Sequence, residues 1–565
     1  MSAILRDTPF GQALRYFTGD SILKYPEEEP NFDVSKHLRN TAPSGAVSTN
    51  QSQIDLDQED LEKDPTDVEK GSNIDDVLPD STAVASAHHH HDGESLKADT
   101  VTWYSDTDPE NPQNWTTQRK ASSFLLICLL TFAIYSCSSI ITPAEFTFRT
   151  QWGVSPQASL LVLSMYVLGY GCGPMIFAPL SEVPMLGRNT PYIVSFAMFF
   201  IMTIPCATVT NYPGLVVCRF FQGFFGGPVL ATGGASAGDI FHFWAVPYGM
   251  AMWACAGYSG PALGPVMSVF AIEERTWRWS MYETLIISGV TFILMFFLLP
   301  ETNPETILLR RAQRLRRITG RDDLLSETEK RDGHLTWQLI SNKYIIMPFK
   351  IPLLDPAIGF IHLYIGLIYG IYYSFFEAFP VAYLEVYGFS IQSMSIVFLT
   401  IGIGAALAAF LYIALVYFIY EPYTKKNGIG HPEYRLVPGL VSASLLPIGL
   451  FLFGWTARPG INWAVPTLGV LIFASTSFVL IQVIFVYLPT SYPRYAASIF
   501  AGNNLLRSVI ACCAIHWSLP LYANLGIGRG VSVVGGICAG CLIPLVALWH
   551  YGPTLRAKSR FADTY

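Results

Sequence analysis

The stretch Gly257-Tyr258-Ser259-Gly260-Pro261-Ala262-Leu263-Gly264-Pro265 lies inside a long apolar segment of the 565-residue chain. Residues three, four and seven apart share one face of a helix, so the three glycines line up with Pro261 on one side. That face has no side-chain bulk, which lets a second helix lie close against it. Pro261 and Pro265 each remove a backbone donor and bend the helix. Two interpretations are open, a small-residue packing face or a hinge-like seam in a transporter.

The composition of the whole chain is that of a membrane protein. Hydrophobic residues make up 51% of the chain and charged residues only 14%, whereas soluble domains carry roughly 25% charged residues. Apolar blocks of about twenty residues, each long enough to cross a bilayer as a helix, follow one another from Ala121 onward. We predict an all-α membrane protein with twelve spans, which begin near Ala121, Pro156, Thr190, Gly214, Pro247, Trp279, Leu353, Ile391, Leu436, Trp463, Ser498 and Val531.

The spans divide into two groups of six, and transporters are commonly built from such repeats with the substrate site between them. The first hundred residues hold 20 acidic against 8 basic residues and cannot bury enough apolar surface to order themselves. One exception is the start, where Ile4, Leu5, Phe10, Leu14 and Phe17 could form a short amphipathic helix at the membrane surface. The predicted domains are a cytoplasmic, acidic and largely disordered tail (1–118), an N-terminal six-helix bundle (119–300), a basic cytoplasmic loop (301–352), a C-terminal six-helix bundle (353–551) and a cytoplasmic tail (552–565).

Basic residues set the predicted orientation. The central loop holds ten Lys and Arg residues, and the loops on the other side hold five arginines, so the positive-inside rule places both termini in the cytoplasm. The basic run Arg310–Arg317 either lies on anionic lipid as an amphipathic helix or is a solvated determinant of topology.

Several classes of protein are disfavoured by what the sequence lacks. All ten cysteines fall inside predicted spans, which is typical of small apolar residues rather than disulfides or metal ligands. The run His88–His91 either binds metal or is a low-complexity tract, and we predict no metal site and no organic cofactor. The sequence has no basic patch of the kind that binds nucleic acid. It has no nucleotide-binding glycine loop, which disfavours an ATP-driven pump, and no nucleophile–base pair, which disfavours an enzyme.

Charged residues inside spans are costly and usually functional. Arg219 in the fourth span either snorkels to the outer interface or forms a fixed positive charge in the central cavity that shifts the pKa of a protonating group. Glu377, near the outer end of the seventh span, is the preferred proton carrier. Asp239, which closes the fourth span, is predicted to take part in proton coupling together with Arg219 and Glu377. His362 and His516 are alternative proton carriers.

A substrate cavity is predicted from polar and aromatic side chains of the spans. The seventh span is unusually aromatic, and its inward-facing rings could accept flat, neutral compounds by stacking while others face lipid. Tyr170 is a possible polar handle. The predicted cavity residues are Tyr135, Tyr166, Gln222, Tyr369, Tyr373, Phe376, Gln482, Asn503, Asn504 and Arg507.

The loop after the second span combines an acid, a tight turn and a base in Glu182, Gly187 and Arg188. We predict that this loop pairs with Asp239 and latches one conformational state.

These motifs together resemble the major facilitator superfamily, specifically its fungal twelve-span drug:proton antiporters. The string R-F-F-Q-G at Arg219–Gly223 is similar to the family's fourth-span motif, and G-P-A-L-G-P at Gly260–Pro265 is similar to its antiporter motif. Ala178–Arg188 resembles the family's cytoplasmic loop, with Glu182 in place of the usual Asp and Val183 in place of an Arg. The pre-span stretch Asp108–Trp115 resembles the fungal branch. Two other segments that resemble this branch are Trp277–Trp279 and Pro300–Thr302. Leu5–Asp7 and Pro26–Glu28 resemble the yeast benomyl/fluconazole-resistance exporters.

The resemblance implies a plasma-membrane exporter of structurally diverse toxic compounds, azoles and benzimidazoles among them, driven by proton entry. It implies that Arg219 takes part in proton transfer and that the chain works by alternating access. We expect small hydrophobic drugs, protons and the lipid bilayer as partners, and a monomer. Three alternatives stay open: an exporter of one natural substrate such as a polyamine or secondary metabolite, a proton-coupled importer, and a membrane receptor without transport.

Overall fold

The computed structural model describes residues 5–29, 32, 100–332, 346–428, 430–492 and 495–562. The predicted metal-binding run His88–His91, most of the acidic tail and residues 333–345 of the central loop lie outside this described part. Within it, the chain is almost entirely helical, and its two short strands, β1 (Thr100–Val101) and β2 (Leu325–Ser326), pair in parallel.

Each long apolar segment forms one or more helices across the membrane. Spans 1–6 comprise α2 and α3 (Thr117–Ser139, Glu145–Trp152), α4–α6 (Pro156–Ser159, Leu161–Cys172, Pro174–Glu182), α7 (Asn189–Thr208), α8 and α9 (Tyr212–Gly226, Val229–Ile240), α10 (Val246–Glu274) and α11 (Arg278–Leu298). The central loop contains α12 (Pro304–Thr319) and α13 (Glu327–Asp332), and α1 (Pro9–Phe17) precedes the spans.

The second half continues with α14 (Met347–Leu354) before its six spans. Spans 7–10 comprise α15 with a π-helical end (Pro356–Phe379, Pro380–Val386), α16–α18 with a π-helical turn (Ile391–Val397, Leu399–Leu415, Val416–Tyr420, Glu421–Asn427), α19 (Val437–Thr456) and α20 (Ala464–Ser491). The last apolar segment comprises α21 (Ala496–Gly540) and α22 (Leu542–Lys558).

The described residues contain eleven candidate membrane spans, of which the last, Ser498–Lys558, is 61 residues long. That length is about twice what one crossing needs, and the helix breaks at Gly526, whose φ of 72° is open to glycine but strained for other residues. The segment therefore crosses twice, which gives the predicted twelve spans. The last helix continues to Lys558, beyond the predicted end at residue 551.

Both ends of the membrane domain return to one side. Ser559, after the last span, donates a hydrogen bond to Asp355 at the start of span 7 (2.5 Å), and Arg556 pairs with Glu433 at the start of span 9 (2.7 Å). We call this side, where the central loop lies, the loop side, and the other the opposite side.

The small-residue stretch of span 5 packs against span 1 inside the N-terminal half. A Cβ added to Gly260 would lie 2.4 Å from the Cβ of Tyr135, and one added to Gly264 would lie 2.2 Å from the Ser139 hydroxyl. Pro265 has no N–H, so the carbonyl of Pro261 has no helical donor. Ser139 donates a hydrogen bond to that carbonyl (2.8 Å). The glycines, the proline and the serine thus form one tight contact between two helices of the same half.

The start of the predicted tail is described by the structure, whereas most of the tail is not. Residues 5–29 include α1 and contact the central loop, where Glu27 pairs with Arg314. The amphipathic helix is present, and its Phe10 packs on Phe296 and Phe297 at the end of span 6 (ring centroids 6.2 and 4.8 Å apart).

Part of the basic run of the central loop forms buried ion pairs, whereas Arg317 at its end keeps a side chain that is 75% exposed. Contact of this run with lipid stays a prediction. Arg311 is fully buried and pairs with Asp108 and Glu110 (2.8 Å each). Arg314 pairs with Glu27 (2.7 Å), and Arg6 of the N-terminal segment also reaches Glu110 (3.3 Å). We call these residues the loop-side ion cluster. It joins three segments of the sequence. Each of them is polar and, taken alone, would be expected to face solvent.

The charges of this cluster support one another. Burial alone disfavours the ionised carboxyl of Asp108, but the hydrogen bond and charge of Arg311 lower its pKa below the usual value. The same carboxylates, against the cost of burial, raise the pKa of the Arg311 guanidinium. Both groups are therefore charged at neutral pH.

We predict that Gly260→Leu destabilises the protein, because its side chain would have to push span 5 away from span 1. Overpacking of this kind costs about 1–3 kcal/mol or more. The melting temperature of the purified protein should fall by several degrees. Gly536→Leu is the matched control, since nothing lies within 4 Å of a Cβ at that position in span 12; equal melting temperatures for the two variants would contradict the packing argument.

We predict that Arg311→Gln destabilises the ion cluster by about 3–5 kcal/mol, because two buried carboxylates lose their counter-charge. The N-terminal segment should then be cleaved faster by protease in the purified protein. Arg317→Gln, on the same helix but with a side chain 75% exposed, should leave the cleavage rate unchanged. Identical cleavage of the Arg311 variant and the native protein would contradict a structural role of the cluster.

Candidate functional site

The two halves enclose a cavity of about 550 Å³ that lies on the loop side. Spans 4, 5, 10 and 11 supply most of its wall, and the wall is mainly apolar. Its lining includes Ala231, Phe241, Phe243, Met250, Phe485, Phe500, Glu182, Arg188 and Arg435. We call this space the main cavity.

A narrower pocket of about 40 Å³ lies between the halves and shares Phe485 with the main cavity. It is lined by Tyr135, Trp253, Tyr258, Tyr369, Tyr372, Pro261 and Arg507, among others. We call it the inner pocket. Its wall combines aromatic rings with a single cationic side chain, groups that stack on flat rings and donate hydrogen bonds. At about 40 Å³ it is too small for a whole drug, whose bulk would have to stay in the main cavity.

The halves meet on the opposite side of the inner pocket through hydroxyl groups. The Tyr170 hydroxyl of span 2 lies 2.6 Å from that of Tyr369 and 3.0 Å from that of Tyr373, both on span 7. The Ser138 hydroxyl of span 1 lies 3.2 Å from that of Tyr373. All four side chains are buried. We call them the hydroxyl cluster.

Further contacts between the halves lie beyond the hydroxyl cluster. His516 of span 11 hydrogen-bonds Ser164 of span 2 (2.9 Å) and lies 3.2 Å from the Gln157 amide oxygen. Gln392 of span 8 donates a hydrogen bond to Glu273 at the end of span 5. These contacts close the space between the halves on the opposite side, so the structure is a conformation that faces the loop side.

Arg507 crosses from span 11 to the N-terminal half. Its guanidinium donates hydrogen bonds to the Tyr135 hydroxyl (3.1 Å) and the Asn504 side-chain oxygen (2.6 Å), and it lies 5.0 Å from the Tyr369 ring centroid. No carboxylate pairs with it in the described part of the chain. Three predicted cavity residues, Tyr135, Tyr369 and Arg507, thus meet at the inner pocket.

Arg219 is in neither of the two places that were considered for it. It is completely buried inside the N-terminal half, where it donates hydrogen bonds to the carbonyls of Cys137 and Ser138 (2.9 and 3.0 Å). It therefore does not snorkel, and it lines neither the main cavity nor the inner pocket. Its interactions fix span 4 to the end of α2.

Two other predicted cavity residues belong to this buried group, which corrects their placement. Gln222 accepts a hydrogen bond from Arg219 (2.9 Å) and donates one to Thr203 of span 3 (2.7 Å). The Arg219 guanidinium lies 4.2 Å from the Tyr166 ring centroid, and the Tyr166 hydroxyl donates to the Ile134 carbonyl (2.8 Å). These side chains satisfy one another inside a single half.

The remaining predicted cavity residues lie around the two spaces rather than in them. Tyr373 belongs to the hydroxyl cluster, and Phe376 stacks on Phe398 of span 8 (centroids 4.8 Å apart). Gln482 is buried with its amide against the backbone of span 5. Asn503 and Asn504 line a small void of about 10 Å³ beside the main cavity, together with Arg507 and Phe485.

The expectation that some aromatic residues of span 7 face lipid is wrong. All seven rings of this span that the prediction considered are buried, because other helices cover span 7 from Tyr364 to Phe379, although Leu363 just before is 59% exposed. They are Tyr364, Tyr369, Tyr372, Tyr373, Phe375, Phe376 and Phe379.

Glu377, four residues after Tyr373, is buried where span 7 faces the N-terminal half. It makes no hydrogen bond or ion pair with the described residues, and the charges that act on it are those of Glu145 and Arg149 in span 1. Those two residues form an ion pair with each other. A carboxyl in this position has no fixed counter-charge of its own, which suits a group that gains and loses a proton.

The alternative proton carriers have different surroundings. His362 of span 7 is fully buried, and neither of its ring nitrogens has a hydrogen-bond partner in the described part. His516 forms a hydrogen bond with Ser164 and lies close to the Gln157 amide oxygen.

The predicted pair between the loop after span 2 and the end of span 4 is formed. Arg188 lies 3.0 Å from Asp239, and the turn before it places Gly187 at a φ of +73°. Burial disfavours the charged Arg188, yet Asp239 and Glu182 raise the pKa of its guanidinium. Both partners belong to the N-terminal half, so the pair does not bridge the halves, and its role as a latch stays a prediction.

Sequence reasoning missed much of the lining of the two spaces, and three of the missed residues are instructive. Glu301 accepts hydrogen bonds from the backbone N–H groups of Arg188 and Asn189 (3.0 and 3.2 Å) and thereby fixes the turn. Trp253 and Phe485 line the inner pocket. Helical spacing could have found these two, because Trp253 lies four residues before Gly257 and Phe485 lies three residues after Gln482.

Comparison with known proteins gives the chain a family. Residues 127–515 match the sequence profile of the Major Facilitator Superfamily. The chain is 44% identical to the MFS-type transporter pyvG of Aspergillus violaceofuscus, over 82% of this chain and 85% of that one. It is 34% identical to the cycloheximide resistance protein of Candida maltosa over the full length of both. It is 37% identical to fluconazole resistance protein 1 of Saccharomyces cerevisiae, over 82% and 85%.

Solved structures show the same fold at low identity. The proton:xylose symporter XylE bound to 6-bromo-6-deoxy-D-glucose superposes with a TM-score of 0.56 at 15% identity, over 77% of this chain and 96% of that one. The human organic anion transporter MFSD10 superposes with a TM-score of 0.52 at 16% identity, over 75% and 99%. With its twelve spans in two halves and this match over most of its length, the chain is a multi-pass membrane protein of the Major Facilitator Superfamily.

Proposed function

We propose that this protein exports structurally diverse, small hydrophobic toxic compounds, azoles and benzimidazoles among them, across the plasma membrane in exchange for protons. The observation that carries the proposal is the aromatic inner pocket and apolar main cavity, open on one side and closed on the other. The names of the relatives from Candida maltosa and Saccharomyces cerevisiae support the substrate class. In this proposal the loop side is the cytoplasm and holds both termini, and the protein acts as a monomer without a cofactor.

The chemistry of the cavity favours neutral compounds over cations. The inner pocket holds Arg507 and no carboxylate, and the main cavity holds Glu182 beside two arginines. A polyamine would meet net positive charge there, so we do not favour a polyamine as the substrate.

The proposed cycle begins in the conformation described here. A drug enters the main cavity from the loop side, and one ring of it reaches the inner pocket and stacks against Tyr369, which is also a member of the hydroxyl cluster. The halves then rock, the cluster separates, and the drug leaves on the opposite side. Glu377, exposed to that side by the separation, takes up a proton, and its neutral form permits the interface with Glu145 to close again. Release of this proton to the loop side in the reclosed conformation restores the charged carboxylate and resets the carrier.

The energy of one proton is sufficient for this task. At a potential of 100 mV and a difference of one pH unit, a proton that enters supplies about 3.7 kcal/mol. That supports a concentration ratio of several hundredfold for a neutral drug at one-to-one exchange.

The proposal is tested by efflux of a fluorescent drug from cells that express the chain, with and without a protonophore while ATP is maintained. We expect efflux to stop when the proton gradient collapses. Efflux that continues without a proton gradient would contradict proton coupling. No efflux across a broad panel of compounds would contradict multidrug export and would favour a transporter of one natural substrate.

We predict that Glu377→Gln removes the dependence of efflux on external pH, because the amide cannot take up a proton. Binding of the drug to the purified protein should remain. Glu283→Gln is the control, since this half-buried carboxyl lies in span 6, away from the interface between the halves. An unchanged pH profile in the Glu377 variant would exclude it as the proton carrier.

We predict that Tyr170→Phe weakens drug binding from the loop side about five- to tenfold. The variant keeps the ring but loses two hydrogen bonds between the halves, so the loop-facing conformation is less populated. Equilibrium binding in nanodiscs measures the change. Tyr166→Phe, on the same helix, loses one hydrogen bond inside its own half and should bind the drug as the native protein does. Equal weakening in both variants would show that the effect is not specific to the hydroxyl cluster.

A further inference from the structure

A cavity of about 320 Å³ lies on the loop side of the C-terminal half, where the end of span 8 meets the start of span 9. It lies beside the main cavity, with which it shares Arg435. Its wall consists of Tyr420, Tyr423, Thr424, His431, Arg435 and two further residues, Ile419 and Tyr434. We call it the interfacial pocket.

The cationic side chain of this pocket has spare hydrogen-bonding capacity. Arg435 donates to the Thr424 hydroxyl at 3.4 Å, and in the described part of the chain it forms no ion pair. The carboxylate closest to it in sequence, Glu433, is held by Arg556 through two hydrogen bonds (2.7 and 3.0 Å). A guanidinium carries five N–H donors, so most of them remain available to a ligand in the pocket.

The other lining groups suit a phosphate group at the surface of a membrane. His431 adds a second potential donor, and the hydroxyls of Tyr423 and Thr424 add polar contacts. Arginine and tyrosine side chains at the end of a span lie at the level of the lipid headgroups. Basic pockets between helices on the side of anionic lipids bind such headgroups.

The pocket is continuous with a surface that faces lipid. Tyr417, Phe418 and Ile419 lie on the π-helical turn of span 8 and are 61%, 74% and 57% exposed. Ile419 belongs both to this surface and to the pocket wall. A ligand with a phosphate head and acyl chains would therefore place the head at Arg435 and its chains along these three residues.

We propose that the interfacial pocket binds an anionic phospholipid of the loop-side leaflet, with its phosphate on Arg435 and His431. Arg435 also lines the main cavity, so its side chain lies between the two spaces. The bound phosphate neutralises the cationic residue at the mouth of the main cavity and makes that mouth more favourable for a neutral drug. The site does not depend on the direction of transport or on proton coupling.

The test uses the full-length protein, purified in detergent and titrated with phosphatidylserine, with phosphatidylcholine and with inorganic phosphate. Native mass spectrometry counts the bound lipids, and the melting temperature reports stabilisation. We expect phosphatidylserine to be retained and to raise the melting temperature more than phosphatidylcholine does. In Arg435→Gln the affinity for phosphatidylserine should fall about tenfold, since a charge-assisted hydrogen bond is lost.

Lys426→Gln is the matched control, because it removes the same charge from an exposed residue on the same side that does not line the pocket. It should retain native affinity. His431→Gln, at an exposed position, provides a second variant if Arg435→Gln does not fold, and a several-fold loss is expected.

Unchanged affinity in the pocket variants, or an equal loss in Lys426→Gln, would overturn the assignment. Equal retention of phosphatidylserine and phosphatidylcholine would also overturn it. Stabilisation by inorganic phosphate as large as that by the lipid would show a site for free phosphate instead of a phospholipid.

Discussion

The closure of the protein on the side opposite the central loop depends on a few hydroxyl groups. Ser138 and Tyr170 of one half meet Tyr369 and Tyr373 of the other, at distances of 2.6 to 3.2 Å. In a buried environment such hydrogen bonds are stronger than in water, and an unpaired hydroxyl is costly. The halves therefore either make these bonds or separate far enough to hydrate the groups. Because Tyr369 also lines the inner pocket, occupancy of the pocket and closure of the interface involve the same side chain.

The N-terminal half is joined by contacts to more than its six spans. The loop-side ion cluster ties the N-terminal segment and α12 of the central loop to that half through Arg311, Arg314 and Arg6. Glu301 extends this connection to the turn at Arg188, since its carboxylate accepts the backbone N–H groups there. The described part of the central loop is thus an attachment of one half. A change in these contacts would affect the Arg188–Asp239 pair, even though the contacts themselves do not involve a substrate.

Much of the fold could be predicted because long apolar segments and glycine spacing act locally. Twelve spans and the close approach at Gly260 follow from hydropathy and from helical periodicity. The partners of charged residues could not be predicted, because they come from distant segments. Arg311 meets Asp108 and Glu110 across about two hundred residues of sequence, and each segment alone looks solvated.

For the site, too, some features could be predicted from the sequence and others could not. Tyr135, Tyr369 and Arg507 were predicted for the cavity and lie at the inner pocket. Arg219, Gln222 and Tyr166 carry the same chemistry, yet they satisfy one another within a single half. Sequence shows which polar groups enter the membrane but not which of them already have partners. Span 7 illustrates the point for rings, since its position at the centre of the molecule buries residues that would otherwise face lipid.

In the proposed cycle, the interface on the opposite side opens once in every round of transport. This opening is tested most directly by a short thiol cross-link between Glu273→Cys and Gln392→Cys, the pair that joins spans 5 and 8 at the exposed rim of this interface. We expect the cross-link to stop transport, reduction to restore it, and each single cysteine variant to transport with or without the reagent. Full transport by quantitatively cross-linked protein would contradict the account.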